Sequence, residues 1–266
     1  MQKQAIGVFD SGIGGLTILR ALRKTLPHEN FIYFGDTANV PYGGKSKAAV
    51  TRLALAVARF LESQKVKLIV IACNTASAQA LSSLRKQLRV PVVGVISPGA
   101  QAAVAATQKQ KIAVLGTQGT IESQAYVKAI HKYNKTARVF QQACPLFVPL
   151  AEEGFAHKPA AKLIASEYLA PVKKSGADTV ILGCTHYPIL KDLLARLLGP
   201  QITLVDSADT LAVTVQSFLQ KNHLAANSGQ GKLKLYASDD PKKFTQSAHK
   251  LLGEKITSAT LKKLSL

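Results

Sequence analysis

The chain has 266 residues, 47% apolar and 6% aromatic with no Trp, enough to bury one large core or two smaller ones. Its apolar runs, such as residues 66–73, are strand-sized and far short of the roughly 20 residues a membrane-spanning helix needs, and residues 5–9 are too short for a signal-peptide core, so a cytoplasmic protein with no membrane association is expected. Thirty-four Lys and Arg against 15 Asp and Glu give a net charge of +19. These basic residues lie along the chain as singles and short pairs (Lys173–Lys174, Lys242–Lys243, Lys262–Lys263) with no interleaved aromatics and no nucleic-acid-binding signature, and they read as a solvated basic surface.

Strands are predicted at 5–9, 31–34, 68–72, 92–95, 112–115, 138–141, 179–182, 203–205 and 233–236, with helices at 16–25, 48–63, 76–87 and 208–220 among the stretches between them. Nearly all-apolar strands separated by helices make an α/β fold of mostly parallel sheets covered on both faces. Ligands then bind in the loops at the carboxyl ends of strands.

Two such loops echo each other. Residues 66–75 end a strand in Ala72-Cys73-Asn74-Thr75, and residues 177–186 end one in Gly183-Cys184-Thr185-His186. In each, a small residue, a Cys and hydrogen-bonding side chains precede a predicted helix. A second echo links Ile6–Gly15 to the stretch from Ile112 through Gly116 and Thr117. The two offsets, 111 and 106 residues, are similar. They point to an internal duplication and to two related α/β lobes that share a cleft.

Three cysteines, an odd number, argue against a disulfide framework. Cys144, before Pro145, is assigned to structure. Cys73 and Cys184, at a strand end and a helix start, are expected to feel the helix dipole and free backbone N–H groups, which lower a thiol pKa toward neutrality. Zinc would require a CxxC or clustered His, and a dithiol redox couple also favours CxxC spacing; neither is present. A Cys–His–acid hydrolase uses one thiol and leaves the other unexplained. Two equivalent thiols suit a two-base racemisation, in which one removes an α-proton from one face and the other protonates the opposite face. A thiol amidase, a pyridoxal-phosphate enzyme and a basic nucleic-acid-binding protein remain as alternatives.

Gly12-Ile13-Gly14-Gly15 begins like a dinucleotide fingerprint but has Thr17 in place of the third glycine, and Gly43-Gly44-Lys45-Ser46 lacks the first glycine of a P-loop. Both are read as loops that bring backbone close to a small anionic ligand. Ser11, Asn74, Thr75 and Thr185 are candidate donors to a carboxylate. Asp10, Asp36, Glu152 and His186 are candidates for tuning the thiols or holding a substrate ammonium group.

Taken together, five blocks resemble bacterial glutamate racemases of the aspartate/glutamate racemase superfamily. They are Phe9-Asp10-Ser11-Gly12-Ile13-Gly14-Gly15-Leu16-Thr17, Gly35-Asp36-Thr37-Ala38-Asn39-Val40-Pro41-Tyr42-Gly43, Ala72-Cys73-Asn74-Thr75-Ala76, Leu182-Gly183-Cys184-Thr185-His186-Tyr187-Pro188 and Val205-Asp206-Ser207-Ala208. The resemblance runs in order over nearly the whole chain. It implies catalytic Cys73 and Cys184, helpers at Asp10, Asp36, Glu152 and His186, and no cofactor or metal. It implies substrate contacts from Asp10, Ser11, Tyr42, Gly43, Asn74, Thr75, Thr185 and His186, and interconversion of L- and D-glutamate for peptidoglycan synthesis. It also implies two pseudo-symmetric lobes with the active site in the cleft, the second lobe (98–206) inserted into the first (1–97 and 207–266). The expected partners are the small-molecule substrate and a second copy of the chain, as a homodimer. Some members of the family also bind DNA gyrase, commonly with an added N-terminal segment; here the first motif begins at Ile6, and neither gyrase nor nucleic acid is expected as a partner.

Overall fold

A computed structural model describes residues 2–264. In chain order the first elements are β1 (Ile6–Asp10), α1 (Leu16–Thr25), β2 (Phe31–Gly35), α2 (Lys47–Ser63), β3 (Leu68–Ile71), α3 (Asn74–Gln87) and β4 (Val92–Gly94). The chain continues with α4 (Ile96–Ala106), β5 (Lys111–Gly116), α5 (Gln118–Glu122), α6 (Ala125–Tyr133), β6 (Arg138–Ala143), α7 (Phe147–Glu152), α8 (Pro159–Lys174), β7 (Thr179–Gly183), α9 (Lys191–Leu198) and β8 (Thr203–Val205). It closes with α10 (Ala208–Lys221), β9 (Leu233–Ala237), α11 (Pro241–Leu252) and β10 (Thr260–Leu261). Among the described residues no helix is long and apolar enough to cross a membrane.

Two all-parallel sheets result. One has six strands in the order β10-β9-β2-β1-β3-β4, the other four in the order β6-β5-β7-β8. The run β2-β1-β3-β4 therefore has the same topology as β6-β5-β7-β8. The registers agree as well. Ile6 pairs with Leu68 in the first sheet and Ile112 with Thr179 in the second, which reproduces both sequence offsets, 106 and 111. The duplicated pattern is thus a duplicated fold: two α/β lobes with parallel sheets flanked by helices.

The inner strands of each sheet are buried on both faces because helices cover both. In the first sheet Ile6, Val8, Leu68 and Val70 face α1, α10 and α11, whereas Phe9, Ile69 and Ile71 face α2 and α3. In the second, Leu115, Val180 and Leu182 pack on α7, α8 and α9, and Ile112, Val114 and Ile181 on α4 and α6. Burying such side chains stabilises by about 1.5–3 kcal/mol each.

The helix expected directly after Cys184 does not start there. A regular helix in that place would close its first turn with an N–H from residue 188 to the carbonyl of Cys184, and Pro188 has no N–H. The chain instead tightens into a 3₁₀ turn over Tyr187–Leu190, with Tyr187 N–H donating to the Cys184 carbonyl at 3.1 Å, and α9 follows. After Cys73 the matching bond does form, from Ser77 N–H to the Cys73 carbonyl at 2.9 Å. The short edge strand β10 was not predicted: two exposed residues carry no alternating pattern.

Candidate active site

The carboxyl ends of β1, β3, β5 and β7 converge where the two lobes meet. Cys73 is the residue that caps α3, its sulfur accepting from the N–H of Ala76 at 3.5 Å, and its thiol donates to the Ser11 hydroxyl at 3.8 Å. Cys184 lies at the end of β7 with its sulfur 3.9 Å from His186 Nδ1. The far nitrogen of that ring, Nε2, is 3.0 Å from Glu152 Oε1. Both cysteines are buried, and Glu152 is open enough at 27% side-chain exposure to reach solvent. The series Cys184–His186–Glu152 runs from a buried sulfur to a partly exposed carboxylate.

Burial pushes Cys73 up to about 12, with the Asp10 carboxylate and a charge at Cys184 adding to it, while the bonds from Ala76 and Ser11 relieve only part. Against the expectation that the helix start brings this thiol toward neutrality, desolvation outweighs the dipole. Burial alone would pull His186 down, yet its bonds to Cys184 and Glu152, with the nearby Asp10 charge, carry it up to about 10. Burial likewise raises the Asp10 carboxyl, opposed by the His186 charge and by hydrogen bonds from Gly15, Gly12 and Thr185.

The remaining sequence candidates fall into three places. Asp10, Ser11, Asn74, Thr75, Thr185 and His186 are all buried at the seam between the lobes. Thr185 donates across it to Asp10 Oδ1 at 3.2 Å, and Gly12 N–H donates to Asp10 Oδ2 at 3.1 Å. Tyr42 and Gly43 lie on the loop before α2. The Gly43 carbonyl accepts from Gly119 N–H of the other lobe at 2.9 Å, and a Cβ at Gly43 would sit 2.6 Å from the Thr117 Cβ. Asp36 stands behind Tyr42: its carboxylate accepts from the Tyr42 hydroxyl at 2.6 Å, from Ser238 at 2.7 Å and from Asn39. Cys144 is buried outside this set, its thiol donating to the Gln142 carbonyl at 3.6 Å.

Gly14 has a definite reason to lack a side chain. A Cβ there would lie 2.5 Å from Thr185 Oγ1 and 2.7 Å from His186 Nδ1. Its absence lets the β1–α1 loop rest on the Cys184 turn, so the loop serves contact between the lobes as well as any ligand.

Three site residues were not singled out from the sequence. Thr117 and Thr120 form a ring of hydroxyls with Thr75, with Oγ1–Oγ1 separations of 2.8 Å (Thr75–Thr117), 3.0 Å (Thr117–Thr120) and 3.3 Å (Thr75–Thr120). The buried Tyr126 donates its hydroxyl to Asn74 Oδ1 at 2.7 Å, which leaves the Asn74 N–H₂ end as the donor. The signal for Thr117 was present, since the 106-residue offset places it opposite Ser11. Tyr126 carried none, because its partner lies 52 residues away in the other lobe.

The arrangement offers two buried sulfurs on equivalent strands, an imidazole held between one of them and a carboxylate, a second, buried carboxylate and a rim of hydroxyl and amide donors. Residues 16–215 match the sequence model of the Asp/Glu/hydantoin racemase family. The chain is 49% identical to a glutamate racemase of Geobacter metallireducens over 96% of this chain and 95% of that one. Its fold superposes on a glutamate racemase isoform of Bacillus anthracis with a TM-score of 0.94 at 35% identity, covering 100% of this chain and 99% of that one. A Francisella tularensis glutamate racemase solved with D-glutamate gives 0.92 at 38% identity, over 100% and 98% of the two chains.

Proposed function

The chain belongs to the Asp/Glu/hydantoin racemase family, and from that premise we propose that it interconverts L- and D-glutamate with Cys73 and Cys184 as the two acid–base groups. The observation that carries this reading is the equivalence of the thiols. Each follows the strand paired to the central strand of its lobe, in the same register, and the two lobes meet at that end. A duplicated lobe that brings one sulfur from each side suits a reaction that is symmetric in its substrate and product.

In this mechanism one sulfur, as thiolate, takes the α-proton, and the other, as thiol, delivers a proton to the opposite face. Reversal exchanges the roles. The developing negative charge on the substrate carboxylate is held by preorganised donors in a closed site: the Asn74 amide, fixed by Tyr126, and the hydroxyls of Thr75, Thr185 and Ser11. Asp10 receives the substrate ammonium. Its charge then no longer weighs on Cys73, which eases the proton off that sulfur. His186 and Glu152 return protons between Cys184 and solvent. Asp36 acts through Tyr42, whose hydroxyl it holds at the cleft wall. The donors take the part of an electron sink, so the reaction needs no cofactor and no metal.

We place the first lobe at 1–97 and 207–266 and the second at 98–206, consistent with β5 to β8 forming a sheet of their own. The enzyme is read as a cytoplasmic supplier of D-glutamate for peptidoglycan synthesis and as a homodimer. The exposed Leu146, Phe155 and Leu163 of the second lobe provide apolar surface for a second copy. Circular dichroism of L- and D-glutamate incubated with the purified protein tests the reaction. The signal should decay to zero from either enantiomer. Decay with aspartate alone would keep the thiols and change the substrate, and no decay with either would remove the racemase reading.

A further inference from the structure

We propose that the outer face of α2 and α3 is a binding surface for the phosphate backbone of double-stranded DNA. Between Asp36 and Glu122 the chain carries eleven Lys and Arg and a single acid, Glu62. Along the sequence these cations are dispersed; the fold gathers them. Arg52, Arg59, Lys65, Arg85, Lys86 and Arg89 are all exposed, on two helices that pack side by side and in the turns that leave them. The Arg59 guanidinium reaches from α2 to Gln87 at the end of α3, at 3.4 Å. Glu62 offsets one of these six charges; its Oε1 is held by the backbone N–H groups of Arg89 at 2.8 Å and Val90 at 3.3 Å. The face thus keeps a strongly positive balance, which ordinary protein surfaces avoid by mixing charges.

The kind of polyanion follows from the residue types. Four of the eight arginines in the chain lie here, and the planar guanidinium fork matches phosphate oxygens better than an ammonium does. Arg85 anchors its Nε on the Val92 carbonyl at 2.9 Å, which fixes it on the β4 flank of α3. A stable protein interface has an apolar centre and a membrane-surface helix an apolar face, and none of the large exposed apolar side chains of the described residues lies on α2 or α3. Helix-dipole complementation explains Arg85 and Lys86 in the last turn of α3, but α2 has no basic residue in its last turn, so Arg52 and Arg59 need another reason. At its α3 end the patch is remote from the cleft: Cys73 caps the other end of α3, and 14 helical residues separate the two by about 20 Å.

The test is fluorescence anisotropy with a labelled duplex DNA of arbitrary sequence, titrated with the full-length protein at several salt concentrations. Six phosphate contacts predict that affinity falls about a thousandfold between about 50 and 200 mM salt. A variant combining Arg52→Gln, Arg59→Gln, Lys86→Gln and Arg89→Gln should bind at least about tenfold more weakly and lose about three to four units of the log–log salt slope. Its unfolding midpoint and glutamate turnover should stay those of the parent. A charge-matched control, Lys158→Gln with Lys162→Gln, Lys173→Gln and Lys174→Gln on the other lobe, should keep most of the DNA affinity. Equal losses in the two variants would reduce the effect to net charge and overturn the proposal. So would the absence of DNA binding at low salt, or binding to phosphatidylserine vesicles without binding to DNA.

Discussion

Pro188 stands after Cys184 where Ser77 stands after Cys73, and that difference decides what each sulfur touches. Ser77 has the N–H that starts a regular helix, so the Cys73 sulfur becomes a helix cap. Pro188 has none, the turn tightens, and His186 Nδ1 comes to 3.9 Å from the Cys184 sulfur. Two lobes of one topology thus present one thiol that caps a helix and one that faces an imidazole.

His186→Gln should expose this asymmetry. The enantiomers of glutamate have equal free energy, so kcat/KM must fall by the same factor in both directions. The split between kcat and KM should differ, and the α-deuterium isotope effect should rise for the enantiomer that Cys184 deprotonates. Stability carries a second signature. His186 holds its proton up to about 10 when folded against 6.5 in the unfolded chain. Its contribution is therefore complete below about 6.5 and is lost as pH rises through about 10. Denaturant unfolding from neutral pH to about pH 10 should fall less steeply in the variant than in the parent.

Asp10→Asn separates activity from stability. Burial raises the Asp10 carboxyl above 3.8, so the folded state prefers it protonated and its ionisation lowers stability as pH climbs past that range. An amide keeps one acceptor oxygen for the Gly12 N–H and offers an N–H₂ that the Thr185 hydroxyl can turn to accept, without the charge. The variant should melt at a higher temperature at neutral pH, turn over glutamate at least about a hundredfold more slowly, and form Cys73 thiolate below the parent value of about 12. Thermal unfolding, steady-state kinetics and ultraviolet thiolate titration check the three effects.

Gly14→Ala should act at a distance from the sulfurs yet remove most activity. Its Cβ would be forced within 2.5 Å of Thr185 Oγ1 and 2.7 Å of His186 Nδ1. Overpacking of this kind destabilises by about 1–3 kcal/mol, and a misplacement of about 1 Å is enough for a hundredfold loss of rate. Melting temperature and turnover, measured together, should show the activity loss to be the larger.

Lys67→Met tests the opposite end of the first sheet. The buried Lys67 ammonium bonds Glu29 Oε2 at 2.5 Å and the carbonyls of Gln2 and Leu224 at 2.8 Å each. Removing one member of a buried ion pair leaves an unpaired charge and costs about 3–5 kcal/mol. Denaturant unfolding should report that loss, while turnover by the folded fraction stays near the parent value.

Strand positions, both cysteine loops and the duplication were legible in the sequence because parallel strands are short apolar runs and the cysteine loops repeat at matched offsets. The consequence of Pro188 was legible in principle, since a missing N–H has one structural result, but it needed comparison with Ser77. Tyr126, Thr120 and the Lys67–Glu29 pair were not legible. Each owes its role to a partner that is remote in sequence and that only packing brings near. The gathering of six cations on α2, α3 and the turns that leave them belongs with them: sequence spacing gives their number, and the pairing of the helices gives their place.

The most direct measurement of the central claim is the fate of each enantiomer of glutamate in deuterium oxide with Cys73→Ala and with Cys184→Ala. Neither variant should racemise. Each should exchange the α-hydrogen of one enantiomer only, and the two variants should choose opposite ones. Undiminished racemisation by either variant would contradict the two-thiol account.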